Sequence, residues 1–255
     1  MTPEDVATRC VALTEAAGTQ QLYVLVDLCD FAFPLAEYVP NWRPLVQHSL
    51  LFTGTAEHAI REEGPLLLLI DIEEGNHLNL LTKITELTHL DNRLLAFNSH
   101  LNFDLMARHL QSALHVRWGE QEGLLRYYSP DVFAAIDFSL TSPQKAWLHQ
   151  YVSQWFYLSA GGEWQWIRPE PAPTPVTPQS GLVLSEAQYD MVLLWADVFI
   201  FLRQHGTALV AADYGGESAL LQRLFGLAMQ AEADGLLNQG ERVQYFMAGL
   251  TKGKE

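Results

Sequence analysis

The chain has 255 residues, of which 49% are hydrophobic and 18% are charged, a balance that is typical of a folded globular protein. Its formal net charge is −15 and its isoelectric point is about 4.9. This acidity argues against sequence-independent nucleic-acid binding and against adsorption to an anionic membrane, because both need a basic surface.

The sequence favours a cytoplasmic location. The start, Met1 to Asp5, is acidic and does not resemble a signal peptide. The most apolar run, residues 191–202, is interrupted by Asp197 and is too short to span a bilayer. Cys10 and Cys29 are interpreted as reduced thiols, because one pair of cysteines in a large chain is not a disulfide framework.

Strands alternate with helices in the first two thirds of the chain. The predicted elements are, in order, helix 2–17, strand 22–27, an irregular segment at 31–42, strand 49–52, helix 55–63, strand 65–70, helix 76–90, strand 94–98, helix 102–116, strand 124–128, helix 131–138, helix 142–154, and strands 156–158 and 163–167 around a glycine-rich hairpin turn at 160–162. This alternation predicts an α/β lobe over residues 1–168, with a mixed sheet flanked by helices.

Residues 169–180 carry a proline at nearly every second position and are predicted to be an extended spacer. Beyond it, the spacing of apolar residues predicts helices over residues 185–205, 217–231 and 240–250. Residues 181–255 are therefore predicted to form a small, all-helical C-terminal lobe.

The motifs that identify common catalytic, metal and nucleotide sites are missing from the sequence, including a Gly-x-Ser-x-Gly elbow and a His-Glu-x-x-His helix. We therefore expect no catalytic residue, metal or cofactor. Asp27 ends an apolar strand, where α/β enzymes often hold an acid. We interpret it as structural, capping a turn or pairing with Arg126 or Arg108. The alternative is an enzyme whose Asp27, His109 and Arg126 line one pocket, with the histidine exposed.

Arg126 is the one charged residue within an apolar and aromatic segment at 124–128. We expect it to be buried and paired, because an unpaired buried charge costs several kcal/mol.

Two groups of apolar residues are either core or a surface for a partner. The first group is Trp155, Trp164 and Trp166, of which the last two lie on one face of a predicted strand. The second is Leu221, Leu224 and Phe225, part of an apolar stripe at helical spacing. Tryptophan is a favoured interface anchor, which makes the first group a candidate docking patch.

Five features in a fixed order resemble the domain-of-unknown-function 4123 family, the adaptor chaperones of bacterial type VI secretion. They are residues 23–27 with Asp27, residues 51–55 with Phe52 and Gly54, residues 64–68, Arg108-His109-Leu110, and Arg126-Tyr127-Tyr128-Ser129-Pro130-Asp131-Val132. The similarity covers about residues 20–140. Ser129 and Asp131 depart from the usual acid and base around Pro130, and we expect Ser129 to cap the following helix.

The resemblance implies a non-enzymatic function. Proteins of this kind bind the N-terminal part of a specific toxic effector and load it onto the trimeric spike protein of the secretion machine. In this interpretation Arg108 and Arg126 belong to the internal framework, and the two apolar groups contact the cargo. An immunity protein, which would bind the catalytic end of a toxin, is a second alternative.

Overall fold

The computed structural model describes residues 2–88, 92–158, 164–169, 181–206, 209 and 211–251. Its centre is a six-stranded sheet with the strand order β2-β3-β1-β4-β7-β8. The strands are β1 (Gln21–Asp27), β2 (Gln47–Leu50), β3 (Pro65–Asp71), β4 (Leu94–Ser99), β7 (Val152–Leu158) and β8 (Trp164–Ile167). Each described pairing in this sheet is antiparallel.

One face of the sheet is covered by α1 (Pro3–Ala16) and α3 (Gly75–Thr88). Successive side chains of a strand point to opposite faces, so Leu22, Val24 and Val26 of β1 pack on this side. A short helix, α2 (Leu35–Tyr38), adds Leu35 to the same cluster. Because both faces of β1 are covered, its sequence is an almost continuous apolar run.

The opposite face, which includes Tyr23 and Leu25, is covered by three helices and a small second sheet. The helices are α4 (Phe103–Ala113), α5 (Pro130–Ser139) and α6 (Ser142–His149), and the strands are β5 (His115–Trp118), β6 (Gln121–Leu124) and β9 (Leu182–Leu184). β5 pairs antiparallel with β6 and parallel with β9, so this smaller sheet is mixed.

The described C-terminal residues form three α-helices, namely α7 (Glu186–His205), α8 (Glu217–Ala233) and α9 (Gln239–Thr251), and a short 3-10 helix, Ala211–Tyr214. They share a third hydrophobic cluster around Phe201, Leu224 and Phe246. α7 also packs along α5 and contributes Val192 and Phe199 to the core beneath the sheet. Every helix in the described part of the chain is too short or too polar to cross a lipid bilayer.

The predicted α/β class with helices at the C-terminus is confirmed, and four local predictions are wrong. The predicted strand 124–128 ends at Leu124, and the following residues turn so that Tyr127 and Tyr128 are both buried. The predicted helices 102–116 and 142–154 end at Ala113 and His149, because the next residues join sheets as β5 and β7. Residues 55–63 form a bend and a 3-10 helix, His58–Glu63.

The predicted hairpin is represented by the antiparallel pair β7 and β8, whereas its turn at 160–162 lies outside the described residues. Residues 170–180 of the predicted spacer also lie outside them. The domain boundaries stay a prediction. One strand of the C-terminal part, β9, is a member of the smaller sheet together with β5 and β6.

Candidate functional site

Asp27 makes both of the structural contacts that the sequence suggested. It is buried at the end of β1, and its Oδ1 accepts a hydrogen bond from the backbone N–H of Cys29 at 3.1 Å. Its Oδ2 accepts a hydrogen bond from Nη2 of Arg126 at 2.8 Å. The carboxylate therefore closes the turn after β1 and ties this turn to the loop before α5.

The prediction that Arg126 is buried is wrong, because 45% of its side chain is exposed. The turn after β6 buries the two tyrosines that follow and leaves the guanidinium at the surface, 5.9 Å from the centre of the Tyr128 ring. Only one side of this ion pair is exposed, because 6% of the Asp27 side chain is accessible. Losing Arg126 would therefore leave a buried carboxylate without its cation, which costs more than losing a fully exposed pair.

Asp27 and Arg126 belong to a polar cavity of about 420 Å³. It lies between the end of β1, the loop before β4, the first turn of α5 and the C-terminal half of α7. Its lining consists of Asp27, Cys29, Asp30, Asn92, Arg93, Arg126, Ser129, Asp131, Val132, Ile200, Arg203 and Gln204. We call it the arginine cavity.

A second ion pair crosses the arginine cavity from α5 to α7. Asp131, which is only 3% exposed, places Oδ2 at 2.8 Å from Nη1 of Arg203, and its Oδ1 accepts a hydrogen bond from Nδ2 of Asn92 at 3.2 Å. Burial raises the pKa of Asp131 to about 6, although Arg203 and Asn92 act in the opposite direction. This carboxylate is held in the fold against a large desolvation penalty.

The third arginine of the cavity, Arg93, is held by backbone carbonyls. Its Nη1 donates hydrogen bonds to the carbonyl oxygens of Asp27 and Cys29. Its guanidinium also lies 5.4 Å from the centre of the Phe31 ring. It therefore also holds the turn after β1.

His109 and Arg108 are not in this cavity. His109 is buried on α4, with Nε2 at 3.1 Å from the carbonyl oxygen of Leu148 and its ring against Trp147 and Tyr151. Burial lowers its pKa. Asp27, His109 and Arg126 thus do not meet in one pocket. Arg108 is exposed on the outer side of α4, so its predicted place in the internal framework is wrong.

Residues 22–146, which contain Asp27, His109 and Arg126, match the profile of a family described as a domain of unknown function (DUF4123). These residues form a DUF4123 domain. Comparisons with curated proteins and with solved structures found no significant match.

The other motif residues shape the turns and the core of the DUF4123 domain. Phe52 is buried and meets the Tyr128 ring edge-on, with 6.3 Å between the ring centres. Gly54 has φ +81°, which favours glycine, and its N–H donates a hydrogen bond to Nδ1 of His58. Pro130 begins α5, but Ser129 makes no capping hydrogen bond through its side chain, so that prediction is wrong.

The residues predicted to contact a partner are scattered. Trp155 and Leu224 are fully buried, so neither side chain is available at the surface. Trp155 fills the core beneath the sheet and donates a hydrogen bond from Nε1 to Nδ1 of His149, whereas Leu224 packs between α7, α8 and α9. The other two tryptophans of the predicted group lie on β8, where Trp164 is partly buried and Trp166 is exposed. Leu221 is partly buried in the C-terminal cluster.

Phe225 belongs to a surface feature that the sequence did not reveal. Phe138 of α5 stacks on Trp195 of α7 with 4.8 Å between ring centres, and Trp195 stacks on Phe225 of α8 at 4.4 Å. Phe138 is 57% exposed, and Met229, one turn beyond Phe225, is 51% exposed. We call these four residues the aromatic strip. Sequence could not find it, because its members come from three helices far apart in the chain.

A metal centre finds no support among the described residues, where no group of three or more histidine, cysteine or acidic side chains is placed to bind an ion. The DUF4123 domain and the C-terminal helices thus present two distinctive surface features. These are the arginine cavity and the aromatic strip.

Proposed function

We propose that this protein is a non-enzymatic adaptor chaperone of a bacterial type VI secretion system. It binds the N-terminal region of one toxic effector in the cytoplasm and helps to load the effector onto the trimeric spike protein. The observation that carries the proposal is the DUF4123 domain at residues 22–146, together with the role that the sequence resemblance implies.

The aromatic strip supports a function in protein binding. Clusters of exposed apolar side chains often mark interaction sites, and aromatic residues and methionine are enriched at interfaces. The strip fits an apolar segment of the effector's N-terminal region. A net charge of −15 favours a segment whose flanking residues are neutral or basic.

The position of His109 supports the non-enzymatic interpretation. The alternative enzyme required an exposed histidine in one pocket with Asp27 and Arg126. His109 instead packs between Trp147 and Tyr151, away from the residues that line the arginine cavity. That alternative loses its geometric basis.

Affinity capture from the native host tests the proposal. The tagged protein is used as bait in cells that express the secretion genes, and captured proteins are identified by mass spectrometry. We expect one effector and the spike protein. Phe138→Ser and Met229→Ser should each reduce effector capture by about tenfold, a typical loss for an interface anchor.

Leu237→Ser is the matched control, because Leu237 is a highly exposed apolar residue in the connection between α8 and α9. It should capture as much effector as the wild type. Recovery of neither effector nor spike would overturn the adaptor proposal. Capture of the isolated catalytic end of the toxin, without its N-terminal region, would favour an immunity protein.

A further inference from the structure

The arginine cavity brings together three arginines of an acidic chain. Arg93, Arg126 and Arg203 are three of only 15 basic residues, and they come from three separate segments. The fold brings these segments together around one concave space. Arginines whose only role is to keep the surface soluble would not be expected to converge on one cavity wall.

Each guanidinium is fixed by groups of the protein itself. Arg126 is held by Asp27, Arg203 by Asp131, and Arg93 by two backbone carbonyls. A guanidinium has five N–H donors. Arg126 uses one of them on Asp27 and keeps almost half of its side chain exposed at the cavity. Fixed guanidinium groups lose little entropy when they bind a further acceptor.

The start of α5 adds positive potential to the same cavity. Pro130 has no N–H, and Ser129 makes no side-chain capping bond. The next two residues, Asp131 and Val132, both line the cavity. A ten-residue helix of this kind carries a partial positive charge at its N-terminus, which favours an anion.

Carboxylates in the wall of the cavity disfavour a multiply charged anion. Besides the three arginines, it is lined by Asp27, Asp131 and Asp30, so the formal charges cancel. Two of these carboxylates are buried against their arginine partners, whereas Asp30 is exposed. Asp30 would repel a phosphate dianion more strongly than a carboxylate.

We propose that the arginine cavity binds a carboxylate carried by a peptide partner, recognised by Arg126 and Arg203. Its volume of about 420 Å³ is sufficient for an acidic side chain and the adjacent backbone. The inference rests on the proposed function only for the source of the peptide. An aspartate or glutamate of the effector's N-terminal region would enter the cavity while apolar residues contact the aromatic strip.

Selection from a displayed library of random peptides tests the inference without knowledge of the effector. The full-length protein should select peptides enriched in aspartate or glutamate. Arg126→Gln and Arg203→Gln should each weaken binding of a selected peptide by at least about tenfold, as expected when a charged partner is removed. Arg108→Gln is the matched control, because Arg108 is exposed and does not line the cavity.

A gain-of-binding variant separates recognition from loss of folding. Asp30→Asn removes the exposed acid from the cavity, and asparagine tolerates the positive φ of +54° at this position. It should strengthen binding of the acidic peptide about threefold. Selection without acidic enrichment, or equal binding by wild type, Arg126→Gln and Asp30→Asn, would overturn the inference.

The two proposals fail in different ways. If effector capture by the wild type succeeds but the library shows no acidic preference, the carboxylate site is wrong and the adaptor function stands. If acidic peptides are selected and depend on Arg126 but no effector is captured from the host, the adaptor function is wrong. The carboxylate site then stands with another source of peptide.

Discussion

Asp131 is a residue at which burial and ionisation oppose each other. Burial raises its pKa from 3.8 to about 6 in the folded protein, so the native state binds this proton more tightly than the unfolded chain does. A raised pKa contributes stability that is fully present below pH 3.8 and is lost as the pH rises through 6. Between pH 7 and pH 5, protonation of Asp131 should therefore stabilise the fold by about 1 kcal/mol.

The measurement is the free energy of unfolding in urea at both pH values, for the wild type and Asp131→Asn. Other groups also contribute to the pH dependence, among them His109, whose pKa is lowered by burial and acts in the opposite sense. The decisive quantity is consequently the difference between the two proteins. Asp131→Asn should lack the stabilisation at pH 5, and an identical pH dependence in both proteins would contradict the assignment.

Arg126 shows what a sequence can and cannot predict about one residue. Its need for a partner follows from its charge and its apolar neighbours. The sequence also indicates the partner, because Asp27 is predicted to pair with either Arg126 or Arg108. Its exposure depends on how the chain turns after Leu124. That turn is fixed by long-range contacts such as the hydrogen bond from the Tyr127 hydroxyl to the carbonyl oxygen of Leu110, which local sequence patterns do not encode.

Among the elements, β9 depends on the glycine before it. Gly181 has φ +98°, and a Cβ atom there would lie 2.4 Å from the carbonyl oxygen of His115 at the start of β5. Gly181→Ala would therefore strain the backbone and separate β9 from β5. We expect a loss of at least about 2 kcal/mol in the free energy of unfolding, because a strained φ and a steric clash act together.

Gly226→Ala is the matched control, since Gly226 lies within α8 and has open space around its Cβ position. Alanine is the better helix former there by about 1 kcal/mol. Urea unfolding of both variants should give opposite changes in stability. A Gly181→Ala protein as stable as the wild type would show that the parallel pair of β9 and β5 is not required.

Among the secondary-structure elements, the sequence correctly predicts the well-capped helices and the long apolar strands, such as β1, β3 and β4. It fails where a short strand directly follows a helix. His115-Val116-Arg117-Trp118 has no strong strand pattern of its own, and it becomes β5 because β6 and β9 pair with both of its edges. The arginine cavity was likewise unpredictable as a unit, because Arg93 reaches it through the pairing of β4 with β1, and Arg203 through the packing of α7 on α5.

For the whole molecule, α7 decides whether the two predicted lobes are independent. Its Phe199 belongs to the core beneath the sheet, whereas Phe201, only two residues later, belongs to the C-terminal cluster and meets Phe246. The Asp131–Arg203 pair adds a polar connection between α5 and α7. A single rigid helix shared by two cores should couple their unfolding.

Calorimetry of Phe199→Ala and Phe201→Ala tests this coupling. Both phenylalanines are buried, and each truncation should cost about 3–5 kcal/mol. If the chain is one cooperative unit, both variants shift the same single transition to lower temperature by a similar amount. Two transitions, with Phe201→Ala lowering only one of them, would instead show that residues 1–168 and 181–255 unfold as separate domains. In that case the arginine cavity would open without loss of the sheet, because α7 supplies one of its walls.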